Sequence, residues 1–369
     1  MEKNNFSDSR IALAIFAHDE SLVIKDTVQA AQKALRTGDA LFVIADNCTD
    51  DTSVQAQNGG ARVLVRENES LPGKGAALSW FVKTHWLTLK DFSRIVVLDA
   101  DSHISPDFIE QIKTNLKDTN LVVQCFIHPI HYEDSPISTL GALSEFVEQS
   151  VYDRFRTFLG WSIRLRGTGM VINPAVLLSI CQDIKTEVED IALSLLIAGK
   201  NIKVKRFDAA VIYDPKPTNP AATSRQRARW FRGQWNAFWI YRTQILEIIA
   251  RGPDGWSLIE SLFCKPRWLM IAIKLGLACL CFPWPALATF FGFMFAMEFF
   301  FILLGVFQLP QKKTFFKALL YTPSFVWMWL KGILLSCQGL PWLRVREVVV
   351  HTEPMNYKPQ NLLKSTKGN

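Results

Sequence analysis

The sequence predicts an α/β fold with a Rossmann-like, mostly parallel sheet, followed by membrane helices in the C-terminal third. In the first hundred residues, short and continuous apolar runs alternate with helical patterns, which is typical of a doubly wound parallel sheet. Acidic residues stand directly after three of these apolar runs. The part of the chain after Lys265 is instead dominated by Phe, Trp and Leu, which indicates helices that contact lipid.

Four strands and two helices are predicted in order along the first hundred residues. The apolar runs predict buried strands at 11–17, 41–45, 61–65 and 95–98. The helical patterns lie at 20–36 and 75–84. Ligands of such sheets bind beyond the carboxyl ends of the strands, so the acidic residues at those ends are candidate site residues. They are Asp19, Glu20, Asp46, Asp99 and Asp101.

A second part of this domain is predicted between residues 121 and 214, with a strand at 121–127 and helices at 139–158 and 191–198. A proline-rich turn region then precedes a basic helix. We therefore expect an α/β domain at 1–215, interface helices at 216–265, membrane segments at 266–340 and a cytosolic tail at 341–369.

Composition and charge indicate which partners and which compartment the protein has. Hydrophobic residues make up 49% of the 369 residues, and the formal net charge is +7. The charge favours phosphates and an anionic membrane face as partners. None of the helix-turn-helix, zinc-knuckle or aromatic patterns of nucleic-acid binding accompanies it, so we expect no nucleic-acid partner. The seven cysteines are scattered without a C-x-x-C pair, which is typical of a reducing compartment.

Two apolar runs, at 268–282 and 284–309, predict a helical hairpin that anchors the chain in a membrane. The first run is short for a hydrocarbon core, which needs about 20 residues. Lys274 and Glu298 are costly in lipid, so we expect them to face each other, a subunit or a cavity, or to reach the membrane boundary. A third run at 319–340 is predicted to be either a span or an interfacial helix.

We expect a loop that carries Lys312, Lys313 and Lys317, and we expect this loop and the basic C-terminal tail on the cytosolic side of the membrane. This arrangement favours two full spans, with the third run on the membrane surface. The expected location is the cell (inner) membrane, with the α/β domain in the cytoplasm, because residues 1–10 are polar and carry no apolar signal core. The alternative is that all three apolar runs are buried helices of a soluble core.

Residues 224–233 carry four arginines and a tryptophan just before the apolar third of the chain. In a helix, Gln226, Arg229 and Trp230 lie at i, i+3 and i+4 and share one face. A guanidinium fork suits phosphate oxygens, and an indole is a flat surface on which a sugar ring can stack. The alternative is a basic helix beside the membrane that contacts anionic lipid.

Asp99 and Asp101 follow an apolar strand and form a sparse oxygen set for Mg²⁺ or Mn²⁺, with phosphate and water as the remaining ligands. Alone, such a pair often marks only a turn. The acidic segment 46–52 also follows an apolar strand. There, the alternative explanation is that Asp and Asn cap the next helix and form the turn.

Three further motifs have both a structural and a chemical interpretation. Lys74 stands between two glycines and could bring an ammonium near phosphate, although the P-loop spacing is missing. Glu189 and Asp190 begin a predicted helix, where a carboxylate either stabilises the helix dipole or acts as a general base on a hydroxyl. The glycines of the turn at 167–169 would let a substrate approach the backbone closely.

Together and in this order, the motifs resemble those of the family 2 inverting glycosyltransferases with the GT-A fold. The resemblance is to the membrane-bound branch with a Q-x-x-R-W motif, which includes cellulose, chitin and hyaluronan synthases and ceramide glucosyltransferase. The chain departs from the pattern at Val188, where many members have Thr. The resemblance covers about residues 11–233, and its motifs are 17–20, 46–52, 99–101, 167–169, 189–190 and 226–230.

The resemblance implies a role for each motif. Asp190 would be the catalytic base, and Asp99 and Asp101 would hold Mg²⁺ or Mn²⁺ at the departing diphosphate. The implied donor-binding residues are Ala17, Asp19, Glu20, Asp46, Lys74, Asp99, Gln226 and Arg229. The implied acceptor-binding residues are Gly167, Thr168, Gly169, Glu189 and Trp230.

We therefore expect a membrane-anchored hexosyltransferase that moves a sugar from a nucleotide-sugar, such as a UDP-sugar, to a hydroxyl of a lipid or glycan acceptor. A processive polysaccharide synthase is the first alternative, which the small number of apolar segments disfavours. A non-catalytic membrane scaffold with the same fold is the second. A soluble nucleotidyltransferase does not explain the apolar C-terminal third. The sequence leaves the oligomeric state open.

Overall fold

The protein is described by a computed structural model that covers residues 9–116, 122–216, 220–264, 267–308 and 312–336. An eight-stranded sheet carries helices on both faces, and a set of longer helices follows it. The strands are β1 (Ile11–Ala17), β2 (Ala40–Asp46), β3 (Arg62–Arg66), β4 (Arg94–Asp99), β5 (His103–Ile104), β6 (Val122–Ile130), β7 (Met170–Ile172) and β8 (Val204–Pro215).

Nine helices belong to the described α/β part and seven to the described C-terminal part. The first group is α1 (Ile24–Ala34), α2 (Thr52–Asn58), α3 (Lys74–Thr84), α4 (Trp86–Leu89), α5 (Phe108–Asn115), α6 (Pro136–Val147), α7 (Arg154–Phe158), α8 (Pro174–Leu178) and α9 (Glu189–Gly199). The second group is α10 (Pro220–Ile240), α11 (Arg242–Ile249), α12 (Pro253–Phe263), α13 (Arg267–Leu280), α14 (Pro285–Gln308), α15 (Lys312–Leu319) and α16 (Thr322–Ser336).

The first half of the sheet is parallel, as the sequence predicts. The strand order is β3-β2-β1-β4-β7-β6-β8-β5, and β3, β2, β1 and β4 pair as parallel neighbours. β1 is buried along its whole length, which explains why it is a continuous apolar run. The four strands predicted in the first hundred residues are confirmed, and each end agrees to within one residue.

The second half of the sheet is mixed, so the prediction of a mostly parallel sheet is wrong there. β7 is antiparallel to both β4 and β6, β5 is antiparallel to β8, and β6 is parallel to β8. β5 and β7 have two and three residues, too few to show a period in the sequence. β8 has 12 residues but includes several charged ones, so no apolar run marks it.

Alternate residues of the central strands build two separate cores. In β1, Ile11, Leu13 and Ile15 belong to the core under α1 and α5, whereas Ala12 and Ala14 belong to the core under α3 and α9. This alternation follows from the two-residue period of a strand. The result is a three-layer arrangement in which the carboxyl ends of β1, β2 and β4 lie at the same edge.

The helix predicted at 139–158 consists of α6, a π-helical stretch at Glu148–Asp153, and α7. α6 begins at a capping box in which Ser135 accepts a backbone hydrogen bond. The π-helical stretch begins and ends with carboxylates that are buried and ion-paired to Arg156. Widened turns of this kind are rare, and the apolar pattern does not reveal them.

α13 and α14 pack against each other as the predicted hairpin. Lys274 Nζ lies 2.5 Å from Glu298 Oε1, so the expectation that these charges face each other is confirmed. Among the described helices, α14 is the one that by itself is long and apolar enough to cross a bilayer, over Pro285–Phe307. α13 has 14 residues, about 21 Å, and is too short for the second full span that was predicted.

The segment after α14 also differs from the prediction. The lysines at 312–317 lie in helix α15 rather than in a loop, because Phe315 and Ala318 are buried against α6. α15 and α16 are bent by 64° from each other and together meet the same test of length and apolarity. Residues 1–8, 117–121, 217–219, 265–266, 309–311 and 337–369 lie outside the described residues, and predictions that fall on them stay predictions.

Candidate functional site

The parallel register of β1, β2 and β4 brings the predicted acidic motifs to one edge of the sheet. Phe16 of β1 is opposite Asp99 of β4, and Ala17 is opposite Ala45 of β2. The loop after β1 therefore lies between Asp46 and Asp99. The ends of three strands that are far apart in sequence form the floor of the candidate site.

Asp46 is almost fully buried at this edge and is held by protein donors on both carboxylate oxygens. One oxygen accepts from Asn47 Nδ2 at 3.3 Å and forms an ion pair with Arg66. The other accepts from the Gly73 N–H at 3.1 Å. Arg66 was missed by the sequence analysis, since an arginine at the end of a half-exposed strand carries no signal of its own. Asp46 thus joins β2 to the loop that leads into α3.

The loop after β1 is fastened to the segment after β2. Asp19 has a left-handed backbone (φ +53°), and its carboxylate accepts from the Thr49 N–H at 2.7 Å. The Glu20 N–H donates to Thr52 Oγ1 at 2.7 Å. Asp19 also lies close to Cys48 and Asp50, the one group of three potential metal ligands among the described residues. These hydrogen bonds explain the acidic residues structurally, and donor binding by Asp19 and Glu20 stays a prediction.

Lys74 lies at the centre of the candidate site. Its Nζ donates to Asp99 Oδ1 at 2.5 Å and to the Gly167 carbonyl oxygen at 2.9 Å, and it lies 3.6 Å from Glu189 Oε1. This contact is possible because Gly75 lets α3 approach the start of α9: a Cβ there would lie 3.2 Å from Glu189 Cβ. One ammonium therefore connects the predicted metal side of the site to the predicted acceptor side.

Burial perturbs the carboxyls at the start of α9. It raises the pKa of Glu189 to about 7, against the opposing effect of the Lys74 charge. Burial also raises the pKa of Asp190, and the Arg164 guanidinium counteracts it. The pKa of Lys74 is raised in spite of its burial, because Asp99 and Glu189 lie close to its ammonium. Carboxyls whose pKa is shifted toward neutrality suit general base chemistry.

The turn at 167–169 is tied to the end of β4. Thr168 is 3% exposed, accepts from the Asp99 N–H at 3.3 Å, and donates to Ser102 Oγ at 3.0 Å. Gly169 has a φ of +67°, and a Cβ there would lie 2.8 Å from Ile212 Cγ1. The Thr168 hydroxyl therefore positions the loop of Asp99 and Ser102, and its predicted contact with an acceptor stays a prediction.

Asp101 lies deeper than Asp99, with 8% of its surface exposed. The neighbouring Ser102 Oγ donates to Asp214 Oδ1 at 3.4 Å, and Lys216 Nζ donates to the other Asp214 oxygen at 2.9 Å. Burial opposes a rise in the pKa of Lys216, but Asp214 and the charge of Asp101 raise it. The end of β8 is thus a wall of the site that was missed, because β8 itself was not predicted.

The sequence analysis also missed Arg164 and Arg166, which directly precede the glycine turn at 167–169. The Arg166 guanidinium forms ion pairs with Asp153 and with Glu145, the latter at 3.3 Å. The backbone N–H of Arg166 donates to Gln124 Oε1 at 2.9 Å, and Gln124 Nε2 donates to the Thr168 carbonyl oxygen at 2.8 Å. An Arg-x-Arg pair directly before Gly-Thr-Gly was the available signal.

The Q-x-x-R-W segment is helical, as predicted, and lies on α10. α10 packs against the start of α9 through Gly233, where a Cβ would lie 2.5 Å from Val188 Cγ1. Val188 directly precedes Glu189 and Asp190, which are half-buried. Trp230 is 40% exposed, and Gln226 and Arg229 are partly exposed. The tertiary structure therefore places the helix of this motif beside the predicted catalytic base.

This fold and this edge of acidic side chains define a GT-A-like glycosyltransferase. The chain belongs to the glycosyltransferase-like family 2, whose model matches residues 9–233. The prediction of a glycosyltransferase is therefore confirmed. Among curated proteins, none matches the chain.

Solved structures resemble this chain at low sequence identity. The mannosyltransferase PcManGT from Pyrobaculum calidifontis, in complex with GDP-Man and Mn²⁺, has a TM-score of 0.52 and 14% identity, over 89% of this chain and 87% of that chain. Glucosyl-3-phosphoglycerate synthase from Mycobacterium tuberculosis, with Mn²⁺, UDP and phosphoglyceric acid, has a TM-score of 0.40 and 20% identity, over 56% and 71%. Its complex with Mg²⁺ and UDP has a TM-score of 0.40 and 19% identity, over 59% and 75%.

Proposed function

We propose that the protein transfers a hexose, with inversion, from a UDP-sugar or related nucleotide-sugar to a hydroxyl of a lipid or glycan acceptor at the membrane. The observation that carries the proposal is the position of Lys74, whose ammonium contacts Asp99 on one side and lies near Glu189 on the other. The ammonium that we propose as a phosphate-binding group thus lies 3.6 Å from the first of two half-buried carboxyls at the start of α9.

Asp190 takes the proton of the acceptor hydroxyl as that oxygen forms a bond to the anomeric carbon. The bond between this carbon and the donor phosphate oxygen breaks, and its electron pair leaves with the nucleoside diphosphate. Lys74 and Arg229 stabilise the negative charge that appears there. Trp230, which is half exposed on α10, is placed to stack on the acceptor.

The oxygens of Asp99 and Asp101 fit a divalent metal, because hard cations such as Mg²⁺ and Mn²⁺ prefer carboxylate ligands. Asp101 is buried directly beyond the end of β4, two residues after Asp99. When bound, the metal would neutralise charge on the diphosphate. The mannosyltransferase from Pyrobaculum calidifontis was solved with GDP-Man and Mn²⁺, which supports the assignment.

The proposed location is the cell (inner) membrane, with the α/β domain in the cytoplasm. α14 supports an anchor, since it is long and apolar enough to cross a bilayer. The Lys274–Glu298 ion pair lets both charges lie within an apolar hairpin. A single anchoring helix and a bent pair are few elements for a polysaccharide channel, which favours single transfer over processive synthesis. The helical Q-x-x-R-W segment of α10 supports placement in the membrane-bound branch that carries this motif.

A panel of UDP- and GDP-sugars, with detergent-solubilised protein and added lipid, tests the proposal through release of nucleoside diphosphate. Asp190→Asn is expected to lower turnover by about 10²–10⁴-fold and to keep donor binding. Glu187→Gln, an exposed carboxyl in the preceding loop, is the matched control and should behave as wild type. A protein that binds nucleotide but turns over no donor would instead be the non-catalytic scaffold. Normal transfer by Asp190→Asn would remove Asp190 from the mechanism.

A further inference from the structure

Arg227, inside the Q-x-x-R-W motif, has no role in the proposed chemistry, and yet it is buried. Arg227 is 4% exposed and lies on the side of α10 that packs against α16. Its guanidinium carbon is 4.4 Å from the ring centroid of Phe325 and 4.1 Å from that of Trp329. Its Nε and Nη1 are buried and have no hydrogen-bond partner among the described residues. Two aromatic faces, rather than a carboxylate, hold this charge.

Besides Arg227, Trp329 contacts two consecutive residues of α10. Its ring centroid lies 6.3 Å from that of Trp230 and 5.6 Å from that of Phe231. Close approach of the two helices depends on Gly332, where a Cβ would lie 3.1 Å from Arg227 Cβ and 3.4 Å from the Ser224 carbonyl oxygen. α16 therefore packs along the same turns of α10 that carry the motif.

Stability does not explain a buried arginine at this position. Desolvation without an anionic partner lowers the pKa of Arg227 to about 9. Cation–π contacts recover only part of the cost of removing a guanidinium from water. An apolar side chain of similar length would fill the same space without that cost, so a selective reason other than stability is needed.

We propose that Arg227 and Trp329 are positioning residues that fix the rotation of α10 about its axis and thereby aim Gln226 and Arg229 at the donor. The proposal rests on the proposed function. In a helix each residue turns by about 100°, so Arg227 and Phe231 form the face that contacts α16, and Trp230 lies between this face and that of Gln226 and Arg229. Gln226 and Arg229 lie on the adjacent face. The Trp329 ring, which packs on the Arg227 guanidinium, therefore fixes the direction in which Gln226 and Arg229 point.

This assignment makes α16 a part of the catalytic apparatus and not only a membrane-associated segment. The cation–π contact is directional, because the guanidinium must lie over the ring faces. A purely apolar contact would allow α10 to slide or rotate. A shift of about 1 Å in a positioning element can cost about 10²-fold in rate.

The first experiment compares Arg227→Met with Arg225→Met, an exposed arginine on the same helix. Arg227→Met is expected to keep or raise the melting temperature, because the new side chain fills the same space. It is expected to lower kcat by about 10²-fold, because the cation–π contact that fixes the rotation of α10 is lost. Arg227→Lys, which keeps a charge on the rings, should retain most of the turnover. Arg225→Met should match wild type. Wild-type kcat in Arg227→Met overturns the proposal, and so does a parallel loss of turnover and melting temperature.

The second experiment uses hydrogen exchange of residues 223–236 and needs no donor turnover. Trp329→Ala is expected to increase exchange in this segment, and Trp329→Phe should restore protection. Trp327→Ala is the matched control, because Trp327 lies two residues away on α16 and is 63% exposed. Equal exchange in the Trp329→Ala and Trp327→Ala variants overturns the proposal. If wild-type protein releases no nucleoside diphosphate from any donor, the proposed function fails, and hydrogen exchange still decides whether Trp329 positions α10.

Discussion

The ammonium of Lys74 lies 2.5 Å from a carboxylate oxygen of Asp99, although the two residues begin and end different elements of the fold. Lys74 is the first residue of α3, and Asp99 is the last residue of β4. The contact requires the glycines on both sides of Lys74, because Gly73 has a φ of +102° and Gly75 packs against Ile184. The pair joins the two halves of the candidate active site.

We predict that Lys74→Met lowers donor turnover by about 10–100-fold and weakens binding of the nucleoside diphosphate. A charged hydrogen bond of this kind contributes about 1.5–3 kcal/mol, and its loss also leaves Asp99 and Glu189 without their cation. Lys83→Met is the matched control, since Lys83 is exposed on the same helix. Steady-state kinetics and calorimetric titration with UDP measure both effects. Unchanged nucleotide affinity in Lys74→Met would contradict a donor role for this residue.

Asp101→Asn is predicted to keep the fold and lose most of the activity. A neutral amide is a poorer ligand than a carboxylate for a hard cation, so metal-dependent turnover should fall even at high Mg²⁺ or Mn²⁺. The exposed Asp107, changed to Asn in the same way, is the control. Chelation of wild-type protein with EDTA should also abolish turnover, and added Mn²⁺ should restore it. Wild-type rates in Asp101→Asn or in EDTA would exclude the metal assignment.

The raised pKa of Glu189 predicts that stability falls as pH rises. The folded-state pKa is about 7 and the usual value is 4.5, so the folded protein binds more protons between these values. The contribution of Glu189 is therefore fully present below about pH 4.5 and is lost as pH rises through about 7. We expect a decrease of on the order of 1–3 kcal/mol across this window. Glu189→Gln should flatten the melting temperature against pH there, and an unchanged slope would refute the shift.

The buried carboxylate of Glu148 should contribute more to stability than the exposed carboxylate of Glu260. Arg267 Nε donates to Glu148 Oε2 at 2.6 Å, and Arg267 Nη1 donates to Glu260 Oε1 at 3.2 Å. Glu148→Gln is predicted to cost about 3–5 kcal/mol, because it removes the buried carboxylate that two buried guanidinium groups share. Glu260→Gln, whose side chain is 40% exposed, should cost less than about 1 kcal/mol. Chemical denaturation measures both, and equal losses would contradict the argument.

The anchor is predicted to resist carbonate extraction of membranes, because α14 is apolar along Pro285–Phe307. A reporter fused after the last residue should be active in the cytosol, since the basic tail favours that side. Activity of the reporter on the far side would show that the bent pair of α15 and α16 does not complete a second span after α14. Release of the chain by carbonate would show that the apolar helices form a soluble core instead.

The strands at the centre of the site were predictable from the sequence. β1, β2 and β4 are buried on both faces, so they are continuous apolar runs with acidic residues at their ends. The motif order then placed Asp99, Lys74 and Asp190 in one site. The helical Q-x-x-R-W segment was also predictable, since its residues share a helix face.

Other parts of the site depend on contacts between residues far apart in the sequence. Arg66 was missed because no local pattern marks a charge that pairs with a residue 20 positions away. Lys216 was missed because β8, which it follows, has no apolar run that would predict a strand. The antiparallel strands β5 and β7 were missed because a strand of two or three residues has no measurable period.

The sequence by itself determined the buried parallel strands, the order of the chemical motifs and the apolar character of the last third, because burial on both faces selects apolar residues locally. Tertiary structure alone decided that Lys74 lies between Asp99 and Glu189, that Lys274 pairs with Glu298, and that Trp329 of α16 packs on Arg227. These contacts depend on how separate helices and strands pack. Packing is set by shape and charge summed over the whole chain, and no single segment contains that information.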